Sequence, residues 1–238
     1  MISLLRPALL VVFFSVSALR AADPAPGEAM LELRACFVRA TEAQYAEAMK
    51  TESGSPEGVI AKEQAGKALA ALQNAGARVL ADLRTVTLSG QETIAQSIRE
   101  LRYPTEWDRS ESGKSFPTGF ETRNVGIQLM ATPEVGPDGK IKLNVHPEVT
   151  DFLGFIDYVG KDNPATTGQS FDKRLDAPLS SGGVWQPIFH SVSLQSVASL
   201  ASGQTLILGG APAASTSSKE GGKPQELIYV FITATLLK

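Results

Sequence analysis

Val125-Gly126-Ile127-Gln128-Leu129-Met130-Ala131, the turn Gly136-Pro137-Asp138-Gly139 and the return Lys140-Ile141-Lys142-Leu143-Asn144-Val145 together decide the fold. Val125, Ile127, Leu129 and Ala131 alternate with Gly126, Gln128 and Met130, and Ile141, Leu143 and Val145 alternate with Lys140, Lys142 and Asn144. Strand side chains point to opposite faces in turn, so this pattern predicts a hairpin with one apolar face. Pro137 presets φ for the turn, and Gly139 tolerates the positive φ that such a turn demands.

Two further stretches carry the same signature of β-branched residues around a glycine-containing turn. They are Thr85-Val86-Thr87-Leu88-Ser89-Gly90-Gln91 and Ser202-Gly203-Gln204-Thr205-Leu206-Ile207-Leu208-Gly209-Gly210, and each predicts a hairpin. The segment Leu227 to Leu237 is apolar on both faces for most of its length. Such a strand needs cover on both sides or insertion in lipid, so it is expected centrally in a sheet, beside Thr205 to Gly209.

Thr87 to Gln91, Val125 to Val149, Gly203 to Gly210 and Glu226 to Leu237, in that order, resemble the C-terminal core of the secretin family. Secretins are the outer-membrane ring channels of type II and type III secretion and type IV pilus systems. The resemblance covers roughly residues 77 to 238 and rests on Gly90, Gln91, Gly126, Pro133, Asp138, Gly139, Pro147, Gly203, Gln204, Gly209 and Gly210 as structural motif positions. It implies that each subunit lends a few strands to a shared barrel, with itself or a larger secretin as partner in a cyclic ring. Outer-membrane lipid and a secreted protein or pilus complete the implied partners, and no cofactor is implied. The chain departs from the pattern after Leu208-Gly209-Gly210, where a segment rich in Pro, Leu and Gly gives way to the polar Ala211 to Gln225. A reduced secretin, an accessory to a larger ring and a periplasmic scaffold without a pore all fit that departure.

The fold class expected is α+β, mainly β. Met30 to Val38 alternates at period two and predicts a strand; Thr41 to Lys50 and about Pro56 to Asn74 predict helices, with Thr41 as N-cap and Gly76 as terminator. Residues 30–76 thus form a small α/β lead-in unit, and 77–238 the β domain. Within the latter, Ser89-Gly90-Gln91 is expected to fold strand 78–88 back against a strand near 93–103. Glu106 to Gly119, Gly160 to Gly183 and Pro212 to Pro224 are polar stretches expected as loops.

Residues 1–22 stand apart. Arg6 precedes an apolar run, Ala8 to Val16, and small residues at Ser17, Ala18, Ala21 and Ala22 follow it, the pattern of a secretory signal peptide cleaved at Ala18, Ala21 or Ala22. The alternative is an uncleaved anchor. Residues 23–29 are a Pro/Ala linker, and export to the periplasm or outer membrane is expected. The net charge is −3 from 22 basic and 25 acidic residues; cleavage at Ala21 or Ala22 removes Arg6 and Arg20 and leaves 20 basic residues and a charge of −5. That mild acidity argues against nucleic acid as a partner. The single cysteine, Cys36, is expected as a small buried residue on the first strand.

No catalytic, metal or cofactor constellation emerges. His146 and His190 lie on expected strands with no further ligand at metal spacing and are read as solvent-facing. Gly168-Gln169-Ser170-Phe171-Asp172 begins like a nucleophile elbow but lacks its second glycine. Glu148 and Asp151 are read as exposed carboxylates, not as an acid–base pair. Phe152, Phe155, Ile156, Tyr158, Trp185, Ile188 and Phe189 are candidates either for an apolar membrane band or for core packing.

Overall fold

The computed structural model describes residues 29–50, 58–158, 172–180, 183–214 and 224–237. Strand β1 (Met30–Thr41) leads into helix α1 (Glu42–Lys50), β2 (Val59–Ile60), α2 (Lys62–Asn74) and β3 (Arg78–Leu88). Then follow β4 (Thr93–Arg109), β5 (Ser115–Val135), β6 (Ile141–Asp157), a single turn α3 (Ala177–Ser180), β7 (Trp185–Ser193), β8 (Ser196–Leu200), β9 (Thr205–Pro212) and β10 (Glu226–Leu236). The chain is mainly β with a helical layer, as its patterning predicts.

Two antiparallel sheets form, ordered β2-β9-β10-β1-β3 and β4-β5-β6-β7, with β8 pairing β6 beside β7. They pack face to face. Leu31, Leu33, Ala35 and Phe37 of β1 and Ile228, Val230, Ile232 and Ala234 of β10 meet Ile127, Leu129, Ala131, Ile141, Leu143 and Val145 of the second sheet. β10 lies between β9 and β1, which pair both its edges, and its two apolar faces are both covered. One face joins that core; the other, Tyr229 and Phe231, packs with Cys36 and Val38 under Ala48, Ala65, Ala68 and Leu72 of the helices. Strands from both sides of residue 76 share the first sheet.

Both helices have the ends the sequence encodes. The Gln44 N–H donates to Thr41 Oγ1 at 3.3 Å and the Thr41 N–H to Gln44 Oε1 at 2.8 Å, a capping box. At the far end of α2, Gly76 has φ 84° and its N–H reaches the Gln73 carbonyl, while the Ala77 N–H reaches that of Leu72. These two bonds satisfy orphaned carbonyls in the Schellman manner.

Four expectations need correction. Val59 and Ile60 are not helical: they pair with Leu206 and Thr205 as a short edge strand, and α2 starts only at Lys62. Glu106 to Gly119 is not a loop but the far part of a β4–β5 hairpin whose pairs continue to Arg109↔Ser115. And neither serine-glycine-glutamine turn makes a hairpin. Ser89-Gly90-Gln91 carries the chain from the first sheet to the second, and Ser202-Gly203-Gln204 carries it back. Alternation reports that a segment is a strand, not which sheet it joins. Of the three signatures only the central one, β5–β6, is a hairpin, closed by Gly136 and Gly139.

Candidate assembly surface

Gly90, Gln91, Pro133, Asp138, Gly139, Gly203 and Gln204 gather at one end of the sandwich, and there the two crossing turns are near copies of each other. In the first, Gln91 N–H reaches the Leu88 carbonyl at 3.1 Å with Gly90 at φ 79°; in the second, Gln204 N–H reaches that of Ala201 at 3.0 Å with Gly203 at φ 86°. A positive φ at the third position defines a type II turn, which is why glycine stands at both. The Gly90 N–H then donates to the Pro133 carbonyl at 2.7 Å while Ser89 Oγ accepts from the Val135 N–H at 2.9 Å. The Gly203 N–H donates to the Ala234 carbonyl at 2.8 Å while Ser202 Oγ accepts from the Leu236 N–H at 2.9 Å. Each turn thus docks on the sheet it enters, through a serine and a glycine set on residues two apart.

The remaining motif positions shape the strands. Asp138 Oδ1 accepts from the Lys140 N–H at 3.2 Å, and Gly139, φ 73°, closes the β5–β6 turn onto the Gly136 carbonyl. The Pro147 carbonyl accepts from the Leu194 N–H at 3.1 Å, where β7 gives way to β8. Gly209 and Gly210 form a bulge: the register of β9 on β10 steps from Ala211↔Ile228 to Gly209↔Tyr229, leaving Gly210 over.

Gly126 has the strictest requirement. Its φ is 137°, and a Cβ there would stand 2.3 Å from the Ser97 carbonyl oxygen and 2.9 Å from Ile98 Cα. Gly126↔Thr150 is also the last pair between β5 and β6. Beyond it the second sheet forks. The outer part of β5 stays with β4, to a tip where Ser110 and Lys114 close around Gly113, and the outer part of β6 stays with β7. A polar cavity of about 220 Å³ lies in the fork, lined by Ile98, Arg123, Gln128, Glu148 and Thr150 among others.

The two branches form an arm held by aromatic contacts. Phe155 and Trp185 are buried at its centre, with Tyr103, Trp107 and Phe152 against them. Tyr103 meets Phe189 edge-on at 5.7 Å between centroids, and the Arg123 guanidinium sits 4.6 Å above the Phe189 ring. Of the band candidates, Phe155, Ile156 and Trp185 are therefore buried within the arm, Phe152, Ile188 and Phe189 are half-buried, and Tyr158 is exposed. The arm's outward residues include Arg99, Glu100, Arg102, Glu106, Asp108 and Glu121, with Phe116 and Phe120 exposed among them.

The chemistry-bearing candidates stay apart. Glu148 takes the Thr150 hydroxyl at 3.1 Å and Asp151 the Arg39 guanidinium at 2.9 Å; three apart on a strand, the carboxylates face opposite ways. His146 Nε2 lies 2.8 Å from Ser193 Oγ, and His190 pairs across from Asp151. Residues 168–171 lie outside the described residues, and Asp172 is held by Arg174, which keeps its carboxyl below the ordinary range. Among the described residues no group of three or more His, Cys, Asp or Glu is placed to hold a metal ion. Cys36 is buried, and that burial pushes its thiol up to about 11, with Asp82 adding to the shift.

The outer ends of β4 and β5, with Trp107 of the aromatic cluster, are not among the expectations from sequence, though a signal is present. Phe116, Thr118, Phe120 and Thr122 alternate with Pro117, Gly119 and Glu121, and Tyr103, Thr105 and Trp107 with Pro104 and Glu106.

A family profile described as "Secretin: Bacterial type II and III secretion system protein" matches residues 70–225, more than half of the chain. The chain belongs to the secretin family. No curated protein matches it. Among solved structures it is similar to the type II secretin GspD of enteropathogenic Escherichia coli, at 14% identity over 88% of this chain and 69% of that one, TM-score 0.42. It is also similar to the Salmonella SPI-1 type III injectisome secretin InvG, at 10% identity over 92% and 67%, TM-score 0.39. The V. cholerae type IV competence pilus secretin PilQ matches at 11% identity over 91% and 62%, TM-score 0.40. The chain thus spans roughly two thirds of each of these secretins.

Proposed function

We propose that this secretin-family chain is exported and acts as a subunit of an outer-membrane ring that conducts a folded protein or a pilus, with no cofactor. The observation carrying the reading is that, among the described residues, both sheets stop at open edges. β3 ends the first sheet on one side, β9 is paired by β2 at only two positions on the other, and β4 ends the second sheet. Open edges template association unless covered, and a head-to-tail contact that closes into a ring covers every one of them. Ring closure makes the channel a property of the assembly, with each chain contributing strands alone.

The experiment is membrane fractionation of the exported protein with cross-linking, followed by negative-stain imaging of detergent extracts. Expected are a cross-linked ladder in the outer-membrane fraction and rings in the images. Intact-mass analysis is expected to show cleavage between Ala18 and Ala22; a full-length cytoplasmic species removes the export reading.

A second reading has its own support. The aromatics that were candidates for either an apolar outer band or core packing are mostly turned into the arm, and the arm's outward residues are largely charged. A barrel in lipid needs an apolar exterior. This favours a periplasmic scaffold or accessory joined to a larger ring, and a soluble monomer at micromolar concentration with no rings in detergent selects it.

A further inference from the structure

We propose that the Arg39–Asp151 ion pair is a latch that fixes the pose of the arm on the sandwich. The apolar core between the sheets reaches Val149 and Val192, and the aromatic cluster of the arm begins at Phe152 and Phe155. Between these two lies a polar crossing. Val38 and Ala40 pack toward the helices, so Arg39, between them on β1, faces the second sheet. Its Nη2 stands 2.9 Å from Oδ2 of Asp151, the first residue of β6 past the last pair with β5. An ion pair is directional where apolar packing is not, so this contact specifies one placement of the β6–β7 branch.

The surroundings give the guanidinium two settings. The Arg39 side chain is only 15% exposed, and its Nε is buried with no hydrogen-bond partner among the described residues. A charge so placed is costly to leave unpaired. Yet Nη1 already lies 4.0 Å from the Glu226 carboxylate, which is on β10 and so belongs to the same sheet as Arg39. Arg39 can release Asp151 and keep a counter-ion, at which point this ion pair no longer ties the arm to the body. Glu226 is 54% exposed, so that second partner is the more screened of the two, and the closed setting is favoured. The inference concerns the fold of one chain and stands whether or not copies form a channel.

The test is hydrogen exchange on the full mature protein, read separately in the arm (152–157 and 185–190) and in the body (127–133 and 141–149). Asp151→Asn is expected to speed exchange in the arm by about tenfold and leave the body unchanged, because a local opening is made easier without global unfolding. Glu226→Gln removes the alternative partner and is expected to leave arm protection equal or higher. The charge swap Arg39→Asp with Asp151→Arg is expected to restore the arm toward the native rate. Unchanged arm exchange in Asp151→Asn, an equal rise in arm and body, or a fall in arm protection with Glu226→Gln each overturns the latch.

Discussion

Strand β5 runs through two environments without a break. From Val125 to Val135 every second side chain is buried up to Pro133, while from Ser115 to Asn124 none is, although pairing with β4 continues almost to the tip. At about 3.3 Å per residue the outer part projects roughly 30 Å. The body is held by apolar burial between sheets; the arm is held by ladder hydrogen bonds, a small aromatic cluster and one charged crossing. A strand does not need a core beneath every residue once its partner is fixed by a tight turn at one end and a packed sheet at the other.

The largest effect separates the two regions directly. Phe37 is fully buried between sheet and sheet, so Phe37→Ala is expected to cost on the order of 3–5 kcal/mol through lost burial and the cavity left behind. Trp107 packs on only part of its surface, in the arm. Trp107→Ala is expected to shift the urea midpoint by less than half as much. Equal shifts would mean that arm and body melt as one unit, and the distinction between them would fall.

Next comes the joint. Any side chain at Gly126 meets the Ser97 carbonyl at 2.3 Å and must also hold φ 137°. Gly126→Val is expected to cost on the order of 3 kcal/mol, strain and overpacking together. Gly139 also has positive φ, 73°, but no atom lies within 4 Å of where its Cβ would stand, so Gly139→Val carries conformational strain alone, about 1 kcal/mol. A Gly139 variant as damaging as the Gly126 one would show that the close approach at the fork is not what Gly126 serves.

These contrasts mark what was legible in the sequence. Where one face is buried, alternation is strong: β5 and β6 around Gly139, β1 and the both-sides-apolar β10 could be read directly. Where neither face is buried, polar composition hides the strand, and Glu106 to Gly119 looked like a loop despite its alternating Phe116 and Phe120. The two serine-glycine-glutamine turns were legible as turns, because the φ requirement is local. Their crossing between sheets was not, since which sheet a strand joins is set by partners far off in the chain. Likewise nothing near Arg39 signals Asp151, 112 residues away.

The smallest expected effect lies on the bare part of the body's outer surface, where exposure resembles that of the arm. Arg34 and Arg84 stand directly opposite each other on β1 and β3, and Asp82 and Glu32 neutralise them along the diagonals. The hydrogen bond from Arg34 holds the Asp82 carboxyl below the ordinary range, against a smaller opposing pull from partial burial. A carboxyl depressed in the folded state stabilises the fold above its unfolded value, and that contribution is lost as pH falls through the folded value. With side chains 61% and 42% exposed, the pair is strongly screened, so Asp82→Asn is expected to cost about 0.5 kcal/mol at neutral pH. The measurement is the difference in urea midpoint between native protein and variant, followed from pH 7 to pH 2 at low and high salt. It should shrink with acid and with salt, because both remove the attraction and leave two like charges facing one another in either protein. A difference that grows toward pH 2, or one as large as that of Gly139→Val, would place this surface with the packed body and not with the solvated arm.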